Sequence, residues 1–319
     1  MPSIGRQRRL VRLLMAVAFG FLLYKTVLAD ALVAGWALAI KLRGDAPGCT
    51  WSRLLTVYPD KERLYDLQDT YEARLAVEAR DATAGIERFR SPKGSFWISR
   101  KGEKLDGKKL LAFLLAEQDW FQEEAAERVV RKGEVVLDCG AHVGVFTAKA
   151  LELGASRVVA VEPDPVNLEC LRRNLAGPIA AGRVIVVAKG VWSSDTKLQL
   201  HLGVDNSGMG TVMHDQGGSS IEIPVTTVDR LVADLNLARV DYVKMDIEGA
   251  EREALAGAYG TLRRFRPRLM LDTYHEADDA VELPRIVRAA HSGYQAYCGP
   301  CELRTDKTTQ LVPHVTFFE

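Results

Sequence analysis

The 319-residue sequence predicts an α/β fold built on a mostly parallel, doubly wound sheet. Short uninterrupted apolar runs at Val135–Leu137 and Val158–Val161 are typical of strands that are buried on both faces. A glycine-containing loop and a helical pattern separate these two runs. Strand and helix patterns then continue to alternate as far as Leu269–Leu271. This alternation favours one sheet with helices on both faces.

The first strand leads into a glycine loop. Val135–Leu137 ends at Asp138, and Gly140 and Gly144 follow before a helix predicted over 144–153. Gly140 permits a sharp turn where a side chain would clash, and Gly144 lets the helix pack closely and a ligand approach the backbone. The unpaired N–H groups at the start of the helix suit an anionic group. The loop therefore predicts a nucleoside-binding site.

The second strand ends at Glu162, about 20 residues after the glycine loop, where an acid can accept both ribose hydroxyls of a nucleoside. A dinucleotide would call for G-x-G-x-x-G, whereas this loop has the pattern D-x-G-x-x-x-G. Asp138 would repel a pyrophosphate but can serve the ammonium group of an amino-acid-bearing nucleoside. We therefore expect S-adenosylmethionine rather than NAD. An α/β domain without a cofactor is the remaining alternative.

The other elements are predicted from local patterns in chain order. The N-terminal part has a helix near Lys61–Ala79, a hairpin around Phe89–Leu105 and a helix over 110–131. Beyond the second strand come a helix at Asn167–Ala176, a strand at Val184–Val187, a hairpin from Leu198–Leu202 and Ile221–Val225, a helix at Asp229–Leu235, strands at Val240–Met245 and Leu269–Leu271, and terminal antiparallel strands at Tyr294–Tyr297 and Val315–Phe318.

Carboxylates follow several of the predicted strands. Asp138, Glu162, Asp246 and Asp272 each stand at a strand end, and ligands of open α/β sheets bind beyond those ends. Asp246 would lie near the transferred methyl group, with Glu248 beside it in the loop. For Glu251, stabilisation of a helix N-terminus is the simpler interpretation.

His275 is the first candidate for a general base, because a histidine titrates near neutral pH and methyl transfer to a hydroxyl requires loss of a proton. Asp246 is the second. The acids together with His275 could also hold a divalent metal ion, but we predict no metal site. His142 is interpreted mainly as a loop residue that bonds to the backbone, and Lys244 as a partner for an acid of the site.

The N-terminal segment differs in character from the rest. Residues 1–43 carry seven Lys and Arg and one acid, so their net charge is +6 and that of the remainder is −6. The stretch over 13–40 is strongly apolar. It could anchor the chain in or on a membrane, pack on the catalytic domain, or act as a cleaved secretory signal. Because S-adenosylmethionine is cytoplasmic, we expect a cytoplasmic enzyme, which residues 1–43 could hold at the surface of the cytoplasmic membrane or anchor in it.

The five cysteines do not indicate a secreted disulfide framework. Cys139 lies in the glycine loop and Cys170 on a helix, and both are expected to be reduced. Cys298 and Cys301 form a C-x-x-C pair that resembles a redox motif or half a zinc site, yet neither a following helix nor a second ligand pair accompanies it. We therefore interpret them as two free thiols in a turn.

Three motifs carry a resemblance to a known family. The segments at 136–146, 161–163 and 240–251 resemble those of the FkbM family of S-adenosylmethionine-dependent methyltransferases, and the third, which contains KMDIEGAE, is the most specific. The family usually has asparagine at the position of His142 and glutamate at that of Asp272. The resemblance covers residues 135–275. It implies a seven-stranded Rossmann-like class I methyltransferase fold, with an N-terminal helical extension here.

The resemblance also implies O-methylation of a hydroxyl on a sugar, a glycan or a secondary metabolite. The chain is expected to divide into three parts. These are the basic and apolar N-terminal segment at 1–43, an extension at 44–109 that covers the cofactor or substrate, and a methyltransferase domain at 110–319. Candidate catalytic residues are Asp246, Glu248, Asp272 and His275. Candidate cofactor contacts are Asp138, Gly140, Ala141, His142, Gly144, Phe146, Glu162, Pro163 and Asp246.

Two rival functions remain. An NAD-dependent oxidoreductase is disfavoured by the missing third glycine, whereas a membrane-associated, non-catalytic scaffold would bind the nucleoside without turnover. A nucleic-acid partner is not expected, because the region beyond residue 43 is net acidic and phosphate contacts need clustered Lys and Arg. The sequence does not indicate an oligomeric state.

Overall fold

The computed structural model describes residues 31–100, 106–203, 207–215, 218–304 and 309–319. Most of the apolar stretch predicted over 13–40 therefore lies outside the described residues, as does the centre of the loop at 204–206. Residues 31–43 are helical and form α1. A single 3-10 turn at Ser52–Leu55 follows, and α2 spans Val57–Arg74.

The N-terminal part continues as a three-stranded antiparallel sheet. Its strands are β1 (Ala76–Asp81), β2 (Ile86–Ser91) and β3 (Gly94–Ser99), joined in that order. The helix predicted at Lys61–Ala79 thus ends earlier, because Leu75 takes an extended conformation and β1 begins after it. The predicted hairpin is present, with β1 added as a third strand.

The remaining elements follow in the predicted alternation. They are α3 (Gly107–Glu124), β4 (Val135–Cys139), α4 (Val145–Glu152), β5 (Arg157–Val161), α5 (Pro165–Asn174), α6 (Ala176–Ala180), β6 (Val184–Val187), β7 (Gly190–Val191), β8 (Thr196–His201), β9 (Ser220–Thr226), α7 (Val228–Asp234), β10 (Tyr242–Met245), α8 (Glu251–Ala256), α9 (Tyr259–Phe265), β11 (Arg268–Asp272), α10 (Asp279–Ala290), β12 (Ala296–Cys298), β13 (Cys301–Arg304), β14 (Gln310–Pro313) and β15 (Val315–Phe318).

Seven of these strands form the central sheet, in the order β12-β15-β11-β10-β4-β5-β6. The pairs from β11 to β6 are parallel, and β15 runs antiparallel to both β11 and β12. The Rossmann-like fold with its mostly parallel seven-stranded sheet is therefore confirmed. β8 and β9 form the predicted hairpin, and β7 pairs with β9 beside it.

Apolar cores lie on both faces of the sheet. On one face, α3, α4 and α5 pack with the N-terminal sheet, and Leu111 and Leu171 are fully buried there. On the other face, α7 to α10 cover the strands, with Leu255 and Leu283 at the centre. The strands read as continuous apolar runs because both of their faces are covered.

The N-terminal sheet is fastened to the catalytic domain by Asn174, at the end of α5. Its side-chain oxygen accepts the Trp97 N–H at 2.6 Å, and its side-chain nitrogen donates to the Trp97 carbonyl oxygen at 2.9 Å and to the Val143 carbonyl oxygen at 2.8 Å. One amide therefore joins β3 to the glycine loop.

Helix α1 buries only part of its apolar surface. Ala37 and Ile40 pack in a small cluster that includes Leu311 of β14, whereas Trp36 is 57% exposed. The described part of residues 1–43 therefore packs against the rest of the protein through one side of α1. Within the described ranges, none of the helices has both the length and the apolar character needed to cross a membrane.

The structure corrects the assignment of the C-x-x-C cysteines. Cys301 forms a disulfide with Cys49, in the loop after α1, with an S–S distance of 2.02 Å and 252 residues between the two positions. Cys298, the last residue of β12, is a free thiol. Cys139 and Cys170 are free and buried, as expected. The sequence could not show this disulfide, because its two halves are brought together only by the fold.

Candidate active site

The predicted glycine loop follows β4 and turns against the strand beside it. Gly140 has φ +79°, and a Cβ there would lie 1.9 Å from the carbonyl oxygen of Asp246, after β10. Gly144 has φ +89°, and a Cβ there would lie 2.8 Å from Leu175 Cδ1. Only glycine fits either position. Gly140 allows the loop after β4 to lie in contact with the loop after β10 at the edge of the sheet. Gly144 allows the start of α4 to pack closely against Leu175, which follows α5.

One cavity of about 360 Å³ opens beyond this edge of the sheet. Six of the predicted site residues line it: Gly140, His142, Glu162, Pro163, Asp246 and Glu248. Helix α3 and the segment 207–212 complete its walls. The cavity thus joins the predicted nucleoside-binding residues to the predicted catalytic carboxylates.

Glu162 follows β5 with its carboxylate at the cavity wall. One oxygen accepts the backbone N–H of His142 and the other that of Asp164, both at 2.9 Å. Burial raises the pKa of Glu162 to about 7. Each oxygen retains a second lone pair, so the carboxylate can still accept hydroxyl groups of a bound ribose.

His142 holds the left-handed conformation at φ +49° that asparagine and histidine tolerate better than most residues. Its Nε2 lies 3.1 Å from the Ser207 hydroxyl, and burial lowers its pKa to about 4, so the ring is neutral at pH 7. The buried Nδ1 of His142 and Oδ1 of Asn167 have no hydrogen-bond partner among the described residues. These two groups and Glu162 offer polar contacts suited to a nucleoside with an amino-acid arm.

Asp138 lies beneath the cavity rather than in its wall. It is fully buried, accepts the Thr147 hydroxyl at 2.5 Å, and lies 3.9 Å from Lys244 Nζ. Asp138 Oδ1 is buried and has no hydrogen-bond partner among the described residues, so the contact of Asp138 with the cofactor ammonium group stays a prediction. Lys244 Nζ also donates to the Gly140 carbonyl oxygen at 3.0 Å and to Asp246 at 3.3 Å.

Three further predicted cofactor contacts lie outside the cavity wall. The Ala141 N–H donates to the Val161 carbonyl oxygen at 3.0 Å. Gly144 faces Leu175, as described above. Phe146 stacks on Tyr242 with 6.4 Å between ring centroids, between α4 and the sheet. None of the three lines the cavity, and their direct contact with the cofactor stays a prediction.

The carboxylates after β10 surround His275. Its Nδ1 lies 3.0 Å from the buried carboxylate of Glu251, and its Nε2 lies 3.5 Å from Glu248 and 3.8 Å from Asp246. Glu251 also accepts the Ile247 N–H at 2.9 Å. Glu251 therefore positions both the loop and the imidazole, beyond its effect on the start of α8.

The electrostatics of this cluster change the assignment of the base. Although burial opposes it, the carboxylates of Glu251 and Glu248 raise the pKa of His275 well above its usual value. His275 consequently keeps its proton at neutral pH and is a poor base. Burial alone would raise the pKa of Asp246, but the Lys244 ammonium beside it lowers that pKa below its usual value. Burial raises the pKa of Glu248 to about 7, so this carboxylate is the proton acceptor best matched to neutral pH.

Glu248 also has an unusual backbone. Its φ is +54°, in the left-handed region that costs a non-glycine residue free energy, and Gly249 follows at φ +99°. The Thr211 hydroxyl donates to the Glu248 carbonyl oxygen at 2.7 Å and holds this turn. The turn directs the backbone so that the Glu248 side chain lines the cavity.

Asp272 does not reach the cavity. It is 4% exposed at the end of β11, and burial, followed by the charge of Asp246, raises its pKa. Tyr274, two residues later, lines the cavity instead and stacks on His314 at 4.7 Å between ring centroids. His314 lies 3.2 Å from Glu117 of α3, which also lines the cavity.

Glu117, Asn167 and Tyr274 are cavity residues that the sequence analysis missed. A signal for Glu117 existed, since it shares one helical face with Leu110, Phe113 and Leu114 at positions spaced by three and four residues. An acid on an otherwise apolar helical stripe indicates a buried polar site. Tyr274 and Asn167 carried no comparable signal.

Asp246, Glu248 and His275 each place one potential ligand atom within 4.8 Å of the others. Mixed oxygen and nitrogen ligands of this kind suit divalent transition metals. The Lys244 ammonium beside Asp246 and the proton on His275 compete with a cation for the same atoms. The absence of a metal from the site stays a prediction.

Comparison with known proteins agrees with this geometry. The sequence profile of the methyltransferase FkbM domain matches residues 138–295, which include the glycine loop, Glu162 and the cluster around His275. The 31-O-demethyl-FK506 methyltransferase FkbM of Streptomyces tacrolimicus is 28% identical over 157 residues, covering 40% of this chain and 60% of that protein. The chain thus spans about 60% of this relative's length.

Two solved structures are also similar. A methyltransferase FkbM from Methylobacillus flagellatus KT has a TM-score of 0.45 and 19% identity, covering 84% of this chain and 62% of that one. A Streptococcus mutans methyltransferase in complex with SAH has a TM-score of 0.36 and 13% identity, covering 64% and 94%.

The seven-stranded order, the glycine loop and the acid after β5 define a Rossmann-like methyltransferase. Residues 138–295 are similar to the methyltransferase FkbM domain in sequence, which supports a methyltransferase of the FkbM type. S-adenosylmethionine is the cofactor of this class, and the polar groups around Glu162 fit it. The NAD-dependent and non-catalytic alternatives are not favoured.

Proposed function

We propose that this protein transfers a methyl group from S-adenosylmethionine to a hydroxyl oxygen of a small-molecule acceptor. The observation that carries the proposal is Glu248, which lines the cavity with a pKa raised to about 7 by burial. Transfer to oxygen requires removal of a hydroxyl proton, and such a carboxylate can accept it near neutral pH. The S. tacrolimicus relative, named for an O-demethyl substrate, supports the same chemistry.

The cofactor would be held at the glycine-loop end of the cavity. Glu162 would accept the ribose hydroxyls, while His142 and Asn167 would bind polar groups through their unpaired atoms. When bound, S-adenosylmethionine supplies a methyl group activated by a sulfonium. Lys244 and the buried Asp138 hold the Gly140 turn in place, which fixes where the cofactor lies.

The acceptor would occupy the opposite end, near Glu248. The His275 imidazolium, 3.5 Å from the Glu248 carboxylate, would keep that side chain in position and stabilise its ionised form. Glu251 would hold His275 through Nδ1. In this arrangement Glu248 accepts the proton, and His275 and Glu251 are positioning residues. Asp246 carries the charge that pairs with Lys244.

The walls of the cavity favour an acceptor with an apolar body. Leu110, Phe113 and Leu114 of α3 form one side, and Met209 and Val212 approach from the loop after β8. Such a surface suits a secondary metabolite better than a strongly hydrated glycan, because apolar contact area contributes most of the binding free energy. A glycoside whose sugar carries the accepting hydroxyl and whose aglycone is apolar would be both a sugar acceptor and a ligand suited to these apolar walls.

We also propose that residues 1–43 attach a cytoplasmic enzyme to the membrane surface. Their net charge of +6 and the apolar stretch over 13–40 support this. The full chain should co-sediment with anionic vesicles and lose that binding when residues 1–43 are removed. Equal binding to neutral and anionic vesicles, or none, would contradict the proposal.

The enzyme proposal is tested with a panel of apolar secondary alcohols, phenols and glycosides, measuring S-adenosylhomocysteine release by the full chain. For an accepted substrate, Glu248→Gln should lower kcat by about 10²- to 10⁴-fold while leaving the Kd of S-adenosylmethionine unchanged. Glu253→Gln on α8, outside the cavity wall, is the control and should behave as wild type. Methylation at nitrogen or carbon, or full activity in Glu248→Gln, would refute the assignment.

A further inference from the structure

Three cysteines meet at the junction between the N-terminal part and the catalytic domain. Cys49 and Cys301 are joined by the disulfide, and the free thiol sulfur of Cys298 lies 3.4 Å from that of Cys301. Three sulfurs are one ligand short of a tetrahedral structural zinc site, and two of these are already bonded to each other. The arrangement is instead that of an attacking thiol beside a disulfide.

We propose that Cys49, Cys298 and Cys301 form a thiol–disulfide exchange site, in which Cys298 can replace Cys49 as the partner of Cys301. The Cys298 thiolate attacks Cys301 Sγ, a Cys298–Cys301 bond forms, and the Cys49–Cys301 bond breaks. Cys49 leaves as a thiolate and takes up the proton that Cys298 lost. One disulfide is exchanged for another, so no external oxidant or reductant is consumed.

The separation favours this reaction. Reacting atoms held about 3–3.5 Å apart are in the range of near-attack geometry, and holding them there removes much of the entropic cost. The turn that carries Cys298 and Cys301 is fixed by two backbone hydrogen bonds, from the Gly299 N–H to the Val315 carbonyl oxygen and from the His314 N–H to the Pro300 carbonyl oxygen, at 2.9 and 2.8 Å.

The surroundings of Cys298 set its pH response. Burial raises the pKa of the Cys298 thiol, while a backbone contact from Thr50 and the charges of Arg53 and Lys41 act in the opposite direction. Exchange should therefore accelerate as pH rises. The three groups that favour the thiolate all lie in the segment that Cys49 tethers, so docking of that segment assists the attack.

The two linkages have different structural consequences. Cys49–Cys301 ties the loop after α1 to β13, where Lys41 Nζ donates to the Ala46 and Cys49 carbonyl oxygens. Cys298–Cys301 lies within one turn of the catalytic domain and leaves the N-terminal segment held only by non-covalent contacts. Exchange would therefore release the covalent tether between residues 31–56 and the methyltransferase domain.

Unfolding should shift the equilibrium of this exchange toward the Cys298–Cys301 disulfide. With the chain unfolded, closing a loop across 252 residues costs far more entropy than closing the short C-x-x-C loop. For the unfolded chain, loop-length scaling predicts that the Cys298–Cys301 linkage exceeds the Cys49–Cys301 linkage by about two to three orders of magnitude. In the folded protein, the packing of Ala37, Ile40 and Leu311 around Cys49 opposes this shift.

Peptide mapping distinguishes the two linkages. Trypsin cuts after Arg43, Arg53, Arg288 and Arg304, so Cys49 lies on peptide 44–53 and both other cysteines on peptide 289–304. The full chain, treated with oxidised glutathione, is incubated at alkaline pH with or without urea, and its thiols are blocked with N-ethylmaleimide at mildly acidic pH before digestion. The Cys49–Cys301 form appears as a cross-linked pair, and the exchanged form as an internally bridged 289–304.

We expect the cross-linked pair in native buffer and, in urea, an excess of bridged over cross-linked peptide of about 10²- to 10³-fold. Cys298→Ser should keep the cross-linked pair in native buffer and form no bridged 289–304 peptide in urea, and Cys170→Ala should match wild type in its ratio of bridged to cross-linked peptide. Retention of the cross-linked pair alone under both conditions, loss of the cross-link from Cys298→Ser in native buffer, or failure to form either linkage would overturn the proposal. None of these outcomes depends on methyltransferase activity.

Discussion

Gly140 and Asp246 lie in contact across the edge of the sheet, the first after β4 and the second after β10. A Cβ on Gly140 would stand 1.9 Å from the Asp246 carbonyl oxygen. The neighbouring Lys244 Nζ donates to the Gly140 carbonyl oxygen at 3.0 Å. The cofactor loop and the proposed catalytic loop are therefore one packed unit, and a change in either backbone displaces the other.

Gly140→Ala should abolish S-adenosylmethionine binding and destabilise the protein. The new methyl group meets a backbone oxygen that cannot move away freely, and φ +79° adds strain. We expect a loss of about 2–4 kcal/mol in the free energy of unfolding, measured by urea denaturation alongside calorimetric titration of the cofactor.

Gly182→Ala separates the two causes. Gly182 has φ +67°, but a Cβ there has nothing within 4 Å. It should lose only the conformational cost, about 1 kcal/mol, and bind the cofactor normally. Equal effects of the two substitutions would show that the contact between Gly140 and Asp246 is unimportant.

The affinity for S-adenosylmethionine should rise with pH through about 7. Glu162 accepts ribose hydroxyls best when ionised, and burial raises its pKa to about 7 in the protein without ligand. Below that pH the carboxyl is protonated, and binding must displace the proton. As pH rises toward 7, the Kd measured by calorimetry should therefore fall by up to about tenfold per pH unit. Above pH 7 it should level off.

Glu162→Gln should weaken binding by about 10- to 100-fold at pH 8 and flatten this pH dependence. Glu169→Gln, on the exposed side of α5, provides the control. A Glu162→Gln variant that keeps the full pH profile would assign the titration to another group.

Lys244→Met should destabilise the protein by about 3–5 kcal/mol at pH 7, since it leaves Asp138 and Asp246 without their ammonium partner in a buried site. The Lys244 charge lowers the pKa of Asp246, so the stability that it supplies is present above the carboxyl's unfolded pKa and is lost as pH falls. The difference from wild type in urea denaturation should therefore shrink below about pH 4. A constant difference across pH would mean that Lys244 acts through packing alone.

The sequence predicted those parts of the molecule that depend on local patterns. The parallel strands, the glycine loop and Glu162 follow from apolar runs, backbone freedom and spacing. The role of Asp138 could not be predicted, because the Thr147 hydroxyl and Lys244 enclose it only in the folded sheet.

Contacts between distant parts of the chain could not be predicted from the sequence either, because they form only when the chain is folded. Glu117 and His314 are 197 residues apart in sequence and 3.2 Å apart in space. The charge on His275 likewise depends on Glu251 and Glu248, which surround it only after β10 and β11 pair. In the structure, the carboxylates around His275 raise its pKa, which disfavours the role of base that the sequence indicates.

The disulfide between Cys49 and Cys301 should contribute to stability through the long loop that it closes. Cross-linking positions 252 residues apart restricts the unfolded chain, and a loop of this length corresponds to about 5 kcal/mol. Cys49→Ser should therefore unfold at lower urea concentration, and a dithiol reductant should have little further effect on it. At mildly acidic pH, where the Cys298 thiol does not exchange, Cys298→Ser keeps the long loop and should match wild type until it is reduced. If Cys49→Ser were as stable as the oxidised wild type, the non-covalent contacts of α1 with β14 would be sufficient to hold the N-terminal part in place.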